Sequence, residues 1–264
     1  MVIFAVAKAV SRCIVEHIAL AGIFMTQYRK GNAQEIVYKT LRASILNLDL
    51  VPGTLISENE ISFRFKVSRT PVREAFIALS KEALVTVMPQ KGSMVSLIDF
   101  ARVEQEVFLR RNLELAALER FIKNYTPSHL TELEKYIALQ QEACNDRKFE
   151  QFLIYDNLFH RVFFHDQMVA LEAVENMCGH YYRIRLLTIR LLEVVNDLVE
   201  AHKIIFQAVK QKDMQKALAH LKSHLHKLNT EEVMLKRLFP EYFMDSREES
   251  SMVDLGGFKH QQNW

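Results

Sequence analysis

Seven glycines and five prolines are spread over 264 residues, far below average usage for both. A chain so poor in turn residues lacks the means for a turn-rich all-β fold or the glycine-rich loops of a nucleotide fold. A mainly α architecture is therefore expected. With 49% hydrophobic and 25% charged residues, a packed core can form and wholesale disorder is excluded.

The net charge of +2 hides an asymmetry. Up to Ile98 there are 12 Lys/Arg against 7 Asp/Glu, and beyond it 22 against 25, while nine of the ten histidines fall behind the same point. A basic front and a slightly acidic, histidine-rich rear suggest two domains, one suited to a polyanion and one to a ligand or metal. The three cysteines, Cys13, Cys144 and Cys178, are odd in number and form no CxxC arrangement. Neither a disulfide framework nor a thiolate zinc site is indicated, and a cytoplasmic location fits. Residues 1–28 are apolar but interrupted by Lys8, Arg12, Glu16 and His17, so no run reaches the length that spans a bilayer and no membrane partner is expected. Residues 1–32 read as an extension of no assigned role, or as a start placed too early, with Met25 an alternative.

From Ala33 to Leu48 the apolar positions Ile36, Val37, Leu41, Ile45 and Leu48 recur at helical spacing and give way to Pro52-Gly53, which predicts a first helix and a turn. Ser57 with Glu60 three residues on is a capping-box pattern opening a short second helix at about Glu58. After Lys66-Val67-Ser68, Ser68 can cap a third helix to about Glu82, with Pro71 in its first turn. Leu84–Met88 and Met94–Leu97 are β-prone runs around a basic hairpin tip. Helix, helix, turn, helix and hairpin make a winged helix-turn-helix, whose third helix suits a major groove. Its N-terminal end offers Arg69, Thr70 and Arg73, while Val72, Ala75, Phe76 and Leu79 can face the core. Arginines on such a face can also be ordinary surface charges.

The run Val67-Ser68-Arg69-Thr70-Pro71-Val72-Arg73-Glu74-Ala75, with Pro52-Gly53, Ser57-Glu58-Asn59-Glu60-Ile61 before it and Gln90-Lys91-Gly92-Ser93 after it, strongly resembles the N-terminal domain of GntR-superfamily transcription regulators. The resemblance implies operator contacts by Ser68, Arg69, Thr70, Arg73, Lys91 and Gly92. Asn59 stands where the family often has an arginine.

Beyond Asp99, six amphipathic segments, roughly 99–124, 127–145, 148–167, 169–192, 196–211 and 213–236, predict an all-α bundle. Residues 237–264 form a C-terminal tail, which from about Asp245 to Trp264 is polar and is expected to be mobile. Asp156 and His160 are four apart on one helical face, and His202 and His224 reach similar heights on either side of the joint near Lys212. Together they could form an N₃O site for Zn²⁺, Mn²⁺, Fe²⁺ or Ni²⁺ with open positions. Each histidine could equally be a satisfied core or surface residue, and His220 competes with His224 by helical spacing.

This rear half also resembles the FCD ligand-binding domain of the FadR-like GntR branch, through Arg110-Arg111-Asn112-Leu113-Glu114, Asp156-Asn157-Leu158-Phe159-His160, Glu200-Ala201-His202 and His224. The resemblance implies metal ligands at Asp156, His160, His202 and His224. It also makes Arg110 either a solvated residue or the anchor for an effector carboxylate. Met168-Val169 replaces the family's usual Gly-Asn.

The fold expected is thus mainly α, with a winged helix-turn-helix over 33–98 and an all-helical effector and metal-binding domain over 99–236. The function expected is a ligand-responsive regulator, in the commoner family behaviour a repressor. As a homodimer it would bind a twofold-symmetric double-stranded operator and respond to a small carboxylate. A direct metal sensor is the first alternative. A metalloenzyme is the second, disfavoured because no general base stands beside the ligands.

Overall fold

The computed structural model describes residues 33–88, 92–192, 194–226 and 232–244. The first helix, α1 (Ala33–Leu46), buries Val37, Leu41 and Ile45, four residues apart, on one stripe. Leu48, at φ 61°, and Gly53, at φ 82°, turn the chain away from it. The second helix, α2 (Glu58–Phe65), opens as the pattern predicts, with Ser57 accepting the Glu60 N–H at 3.1 Å. The reciprocal half of the box is absent: the Glu60 carboxylate pairs with Arg64 instead. Lys66 closes α2 in the left-handed region, and Ser68 stands at the N-cap of α3 (Arg69–Lys81) without a side-chain capping bond. Val72, Ala75, Phe76 and Leu79 are buried and Arg69, Thr70 and Arg73 exposed, the division that their spacing predicted.

The wing is a three-stranded antiparallel sheet in the order β1-β3-β2, built from β1 (Leu55–Ile56), β2 (Val85–Met88) and β3 (Gly92–Val95). The hairpin was legible, but β1 is two residues long, too short to show alternation. β3 also begins two residues before the expected run, with Gly92 at φ 98°. Lys91, expected at the wing tip, lies outside the described residues.

Asp99 caps α4 (Phe100–Asn124) by accepting the Ala101 N–H at 2.9 Å. There follow α5 (Pro127–Asn145), α6 (Phe149–Val162), α7 (Met168–Met177), α8 (Gly179–Leu192), α9 (Val195–Lys210), α10 (Met214–His226) and α11 (Glu232–Leu238). The single helix expected over 169–192 is two, parted at Cys178. A Cβ on Gly179 would stand 2.6 Å from Leu84 Cδ2, so the glycine allows the winged domain to approach the start of α8. The first residues of the C-terminal tail, up to 244, are folded, and the polar stretch from Asp245 lies outside the described residues. Phe243 is buried and stacks on Phe100 at 5.0 Å, and residues 242 and 244 hydrogen-bond Ile98.

Two hydrophobic cores result, one under the winged helix and one filling the bundle. Polar contacts at the head of α8 join them. His180 accepts the Asp99 N–H on Nδ1 at 3.1 Å and donates from Nε2 to the Ala83 carbonyl at 3.0 Å, while Arg183 Nη1 donates to the Ser96 carbonyl at 2.6 Å. Burial, helped by Arg183, holds His180 well below the ordinary imidazole range. The neutral tautomer required by the two bonds is therefore the stable one.

Candidate metal centre and nucleic-acid interface

Four helices converge at the centre of the bundle. α6 brings Asp156 and His160, one turn apart, and the antiparallel pair α9 and α10 brings His202 and His224, all four buried. One ligand atom from each lies within 4.8 Å of all the others. His220, the spacing competitor, is only half-buried and outside this group. The fourth helix, α4, places Glu114 behind His160, while Gln140 of α5 and Arg185 of α8 stand behind His202 and Asp156.

The hydrogen-bond pattern tests whether a cation fits. His202 Nδ1 faces Gln140 Oε1 at 2.6 Å, and His160 Nδ1 faces Glu114 Oε2 at 2.9 Å. Gln140 Oε1 is an acceptor, so His202 Nδ1 carries the proton and its Nε2 presents a lone pair, while the contact of His160 with Glu114 lacks hydrogen-bond geometry. The Nε2 atoms of His160 and His202 each lie 3.1 Å from His224 Nε2. Asp156 carboxylate oxygens lie 3.8 Å and 3.7 Å from His160 and His202 Nε2, and Asp156 Oδ1 has no hydrogen-bond partner. His224 Nδ1 has no hydrogen-bond partner, so its Nε2–H can donate to a neighbouring imidazole, and a cation at this point would take the place of that proton. Separations near 3 Å suit nitrogens held about 2.0–2.1 Å from one shared ion.

The electrostatics agree. Burial pushes His202 down to about 3 and His224 well below the ordinary range, so both are neutral and able to ligate. Burial also disfavours charge on Asp156, but Arg185 and the three imidazoles outweigh it and hold the carboxyl well below the usual carboxylate range. Glu114 behaves alike: burial opposes its charge, while Arg110 and His160 bring it down to about 2. The charged groups around the ligands thus form two buried pairs, Arg185–Asp156 and Arg110–Glu114.

Arg110 is not a solvated residue. Its guanidinium lies under Tyr181 and Tyr182, and Nη1 is buried without a partner. Sequence spacing missed Gln140 and Arg185. No local signal marks Gln140 on α5, whereas Arg183 and Arg185 between Tyr182 and Leu186 are cations in an apolar helix, an arrangement that calls for buried partners.

At the other end of the molecule, α3 presents an exposed cationic edge. Arg73 makes a bidentate contact to Glu58 on α2, with Nε to Oε1 at 3.1 Å and Nη2 to Oε2 at 3.2 Å. Ser68, Arg69 and Thr70 are exposed beside it. Among the described residues, no helix is long and apolar enough to cross a membrane.

Both ends fall within domains of known families. Residues 33–95 match the model of bacterial regulatory proteins of the gntR family, and residues 107–227 match the FCD domain. The chain is 30% identical over 211 residues to the HTH-type transcriptional repressor RspR of Escherichia coli, covering 79% of this chain and 92% of that protein. It is 34% identical over 223 residues to an HTH-type transcriptional regulator in an unstable DNA locus of Streptomyces ambofaciens, covering 83% and 93%. The fold is similar to that of E. coli McbR/YncC, with a TM-score of 0.67 at 21% identity over 78% of this chain and 98% of that one. These relatives are transcription regulators and not enzymes, and the chain belongs to the GntR family of DNA-binding transcription regulators, with an FCD domain behind its winged helix.

Proposed function

We propose that the chain is a cytoplasmic, ligand-responsive regulator that binds a twofold-symmetric operator as a homodimer. A divalent ion held by Asp156, His160, His202 and His224 would order the effector site. The observation that carries this reading is the convergence of three imidazole Nε2 atoms and one carboxylate in a buried space. When bound, the ion would supply a positive centre able to take an anionic ligand on an open position. Because the surrounding charges already cancel in pairs, an added dication leaves a buried charge of about +2 uncompensated. A small organic acid neutralises it, and Arg110 Nη1, buried and unpartnered, is the donor suited to its far end.

α8 would carry the signal. Arg185 on this helix binds Asp156, while Gly179, His180 and Arg183 on the same helix contact the winged domain. A ligand that shifts Asp156 or Arg110 therefore acts on a helix already bonded to both domains. On the DNA side, Ser68, Arg69, Thr70, Arg73, Lys91 and Gly92 would contact the operator, and repression, as by RspR, is the expected mode.

Calorimetric titration of the zinc-loaded protein with a panel of small carboxylates should yield at least one binder that also changes operator affinity. Silence across the panel contradicts the effector reading, and a change produced by zinc alone makes the ion itself the effector. Arg69→Ala or Arg73→Ala should weaken operator binding on the order of tenfold or more. Unchanged affinity in both contradicts the assignment of α3.

A further inference from the structure

The two arginines at the start of α3 are not equivalent. Arg69, at the first helical position, has no side-chain partner among the described residues. Arg73, one turn later, is clamped: the edge of its guanidinium formed by Nε and Nη2 is taken by both oxygens of Glu58. Glu58 is itself fixed at the first position of α2, after the Ser57 cap. There the helix N-terminus favours its negative charge. A carboxylate facing DNA is costly near phosphates, so an exposed bidentate pair at this place calls for an explanation other than stability, to which such pairs add little.

The geometry points to Glu58 as a positioning residue that holds Arg73 to read a guanine in each operator half-site. A guanidinium has two edges that can make paired hydrogen bonds. With the Nε/Nη2 edge occupied by Glu58, the outer edge, Nη1 with the second hydrogen of Nη2, is left to face outward. Two parallel donors match the two major-groove acceptors of guanine, O6 and N7, whereas adenine sets a donor, its N6 amino group, beside N7. Holding the side chain in advance lowers the ordering cost of the contact. The carboxylate behind it also disfavours the alternative in which Arg73 swings to a phosphate, where it would add affinity without sequence preference. Glu58 thus trades general DNA affinity for discrimination.

This inference rests on the reading of α3 as the recognition helix, and the test separates the two. Full-length wild type, Arg73→Ala, Glu58→Ala and Glu58→Gln proteins are each used to select from a pool of random-sequence duplexes. Affinities are then measured on duplexes differing only at the position that Arg73→Ala relaxes. The wild type should prefer guanine there by about tenfold or more. Glu58→Ala should cut that preference about two- to tenfold at the same position alone, while binding to unrelated duplex holds or rises. Glu58→Gln, which keeps one acceptor, should fall between. Preference unchanged in Glu58→Ala, or relaxed at a different position as a direct cytosine contact from Glu58 would produce, overturns the proposal. If Arg73→Ala relaxes no position, the recognition-helix reading itself fails. Both side chains lie on the surface, so thermal melting of all four proteins should coincide, and a selective change in sequence preference cannot then be assigned to misfolding.

Discussion

Two kinds of arginine–carboxylate pair divide this molecule. In the winged domain Arg73–Glu58 lies at the surface, while in the FCD bundle Arg110–Glu114 and Arg185–Asp156 are almost wholly buried. The chemistry is the same and the consequences are opposite. In water the attraction is nearly cancelled by hydration and screening, so the exposed pair adds little to stability. In the bundle neither partner has water to return to, and each pair holds Asp156 or a neighbour of His160 in one place. Between these extremes stands Glu106 of the bundle, buried and accepting from half-exposed Arg102 at 2.9 Å and from the Tyr181 N–H at 2.8 Å, with Arg183 nearby.

The largest effect expected from this contrast comes from breaking a buried pair. Asp156→Ala should destabilise the metal-free protein by roughly 3–5 kcal/mol, because Arg185 is left charged and unpaired in the core, and urea unfolding measures this. A loss no larger than that of a surface substitution would show that the interior is wetter than the structure implies. Next comes the layer behind the ligands. Gln140→Ala removes the acceptor that fixes the His202 tautomer and should weaken zinc binding by about 10- to 100-fold, read by competition with a chromophoric chelator.

Glu106 gives a pH signature. Burial raises its carboxyl from 4.5 to about 7, against the lowering effect of Tyr181 N–H, Arg102 and Arg183. Between those values the folded state keeps a proton that the unfolded state has released, so wild-type stability falls as pH rises from 4.5 to about 7 and is level above. Relative to Glu106→Gln, wild type should lose stability across that window; parallel profiles for the two proteins would contradict the raised value. The smallest effect belongs to the exposed pair. Arg73→Ala should leave the unfolding midpoint unmoved while impairing DNA binding, and a clear loss of stability would erase the distinction between the two ends.

The parts of this design that were legible in the sequence are those written locally. Val37, Leu41 and Ile45 spell one helix face, Pro71 and Ser68 mark a helix start, and Asp156 with His160 share a face by spacing alone. The split of 169–192 into α7 and α8 was hidden because Gly179 acts through a distant contact with Leu84, and no periodicity records that. Gln140 is 62 positions from His202, and its role exists only once α5 and α9 pack together. The docking of Phe243 has no local signal because its partner, Phe100, is remote in the chain. Local order was readable, and pairings set by tertiary packing were not.

The central claim is that the four converging side chains hold one ion. Elemental analysis of full-length protein, loaded with zinc and freed of excess, tests it most directly. Wild type and Arg73→Ala should each retain about one ion per chain, while His160→Ala and His224→Ala should retain far less. An equal metal ratio in all four proteins, or none in the wild type, would contradict the account.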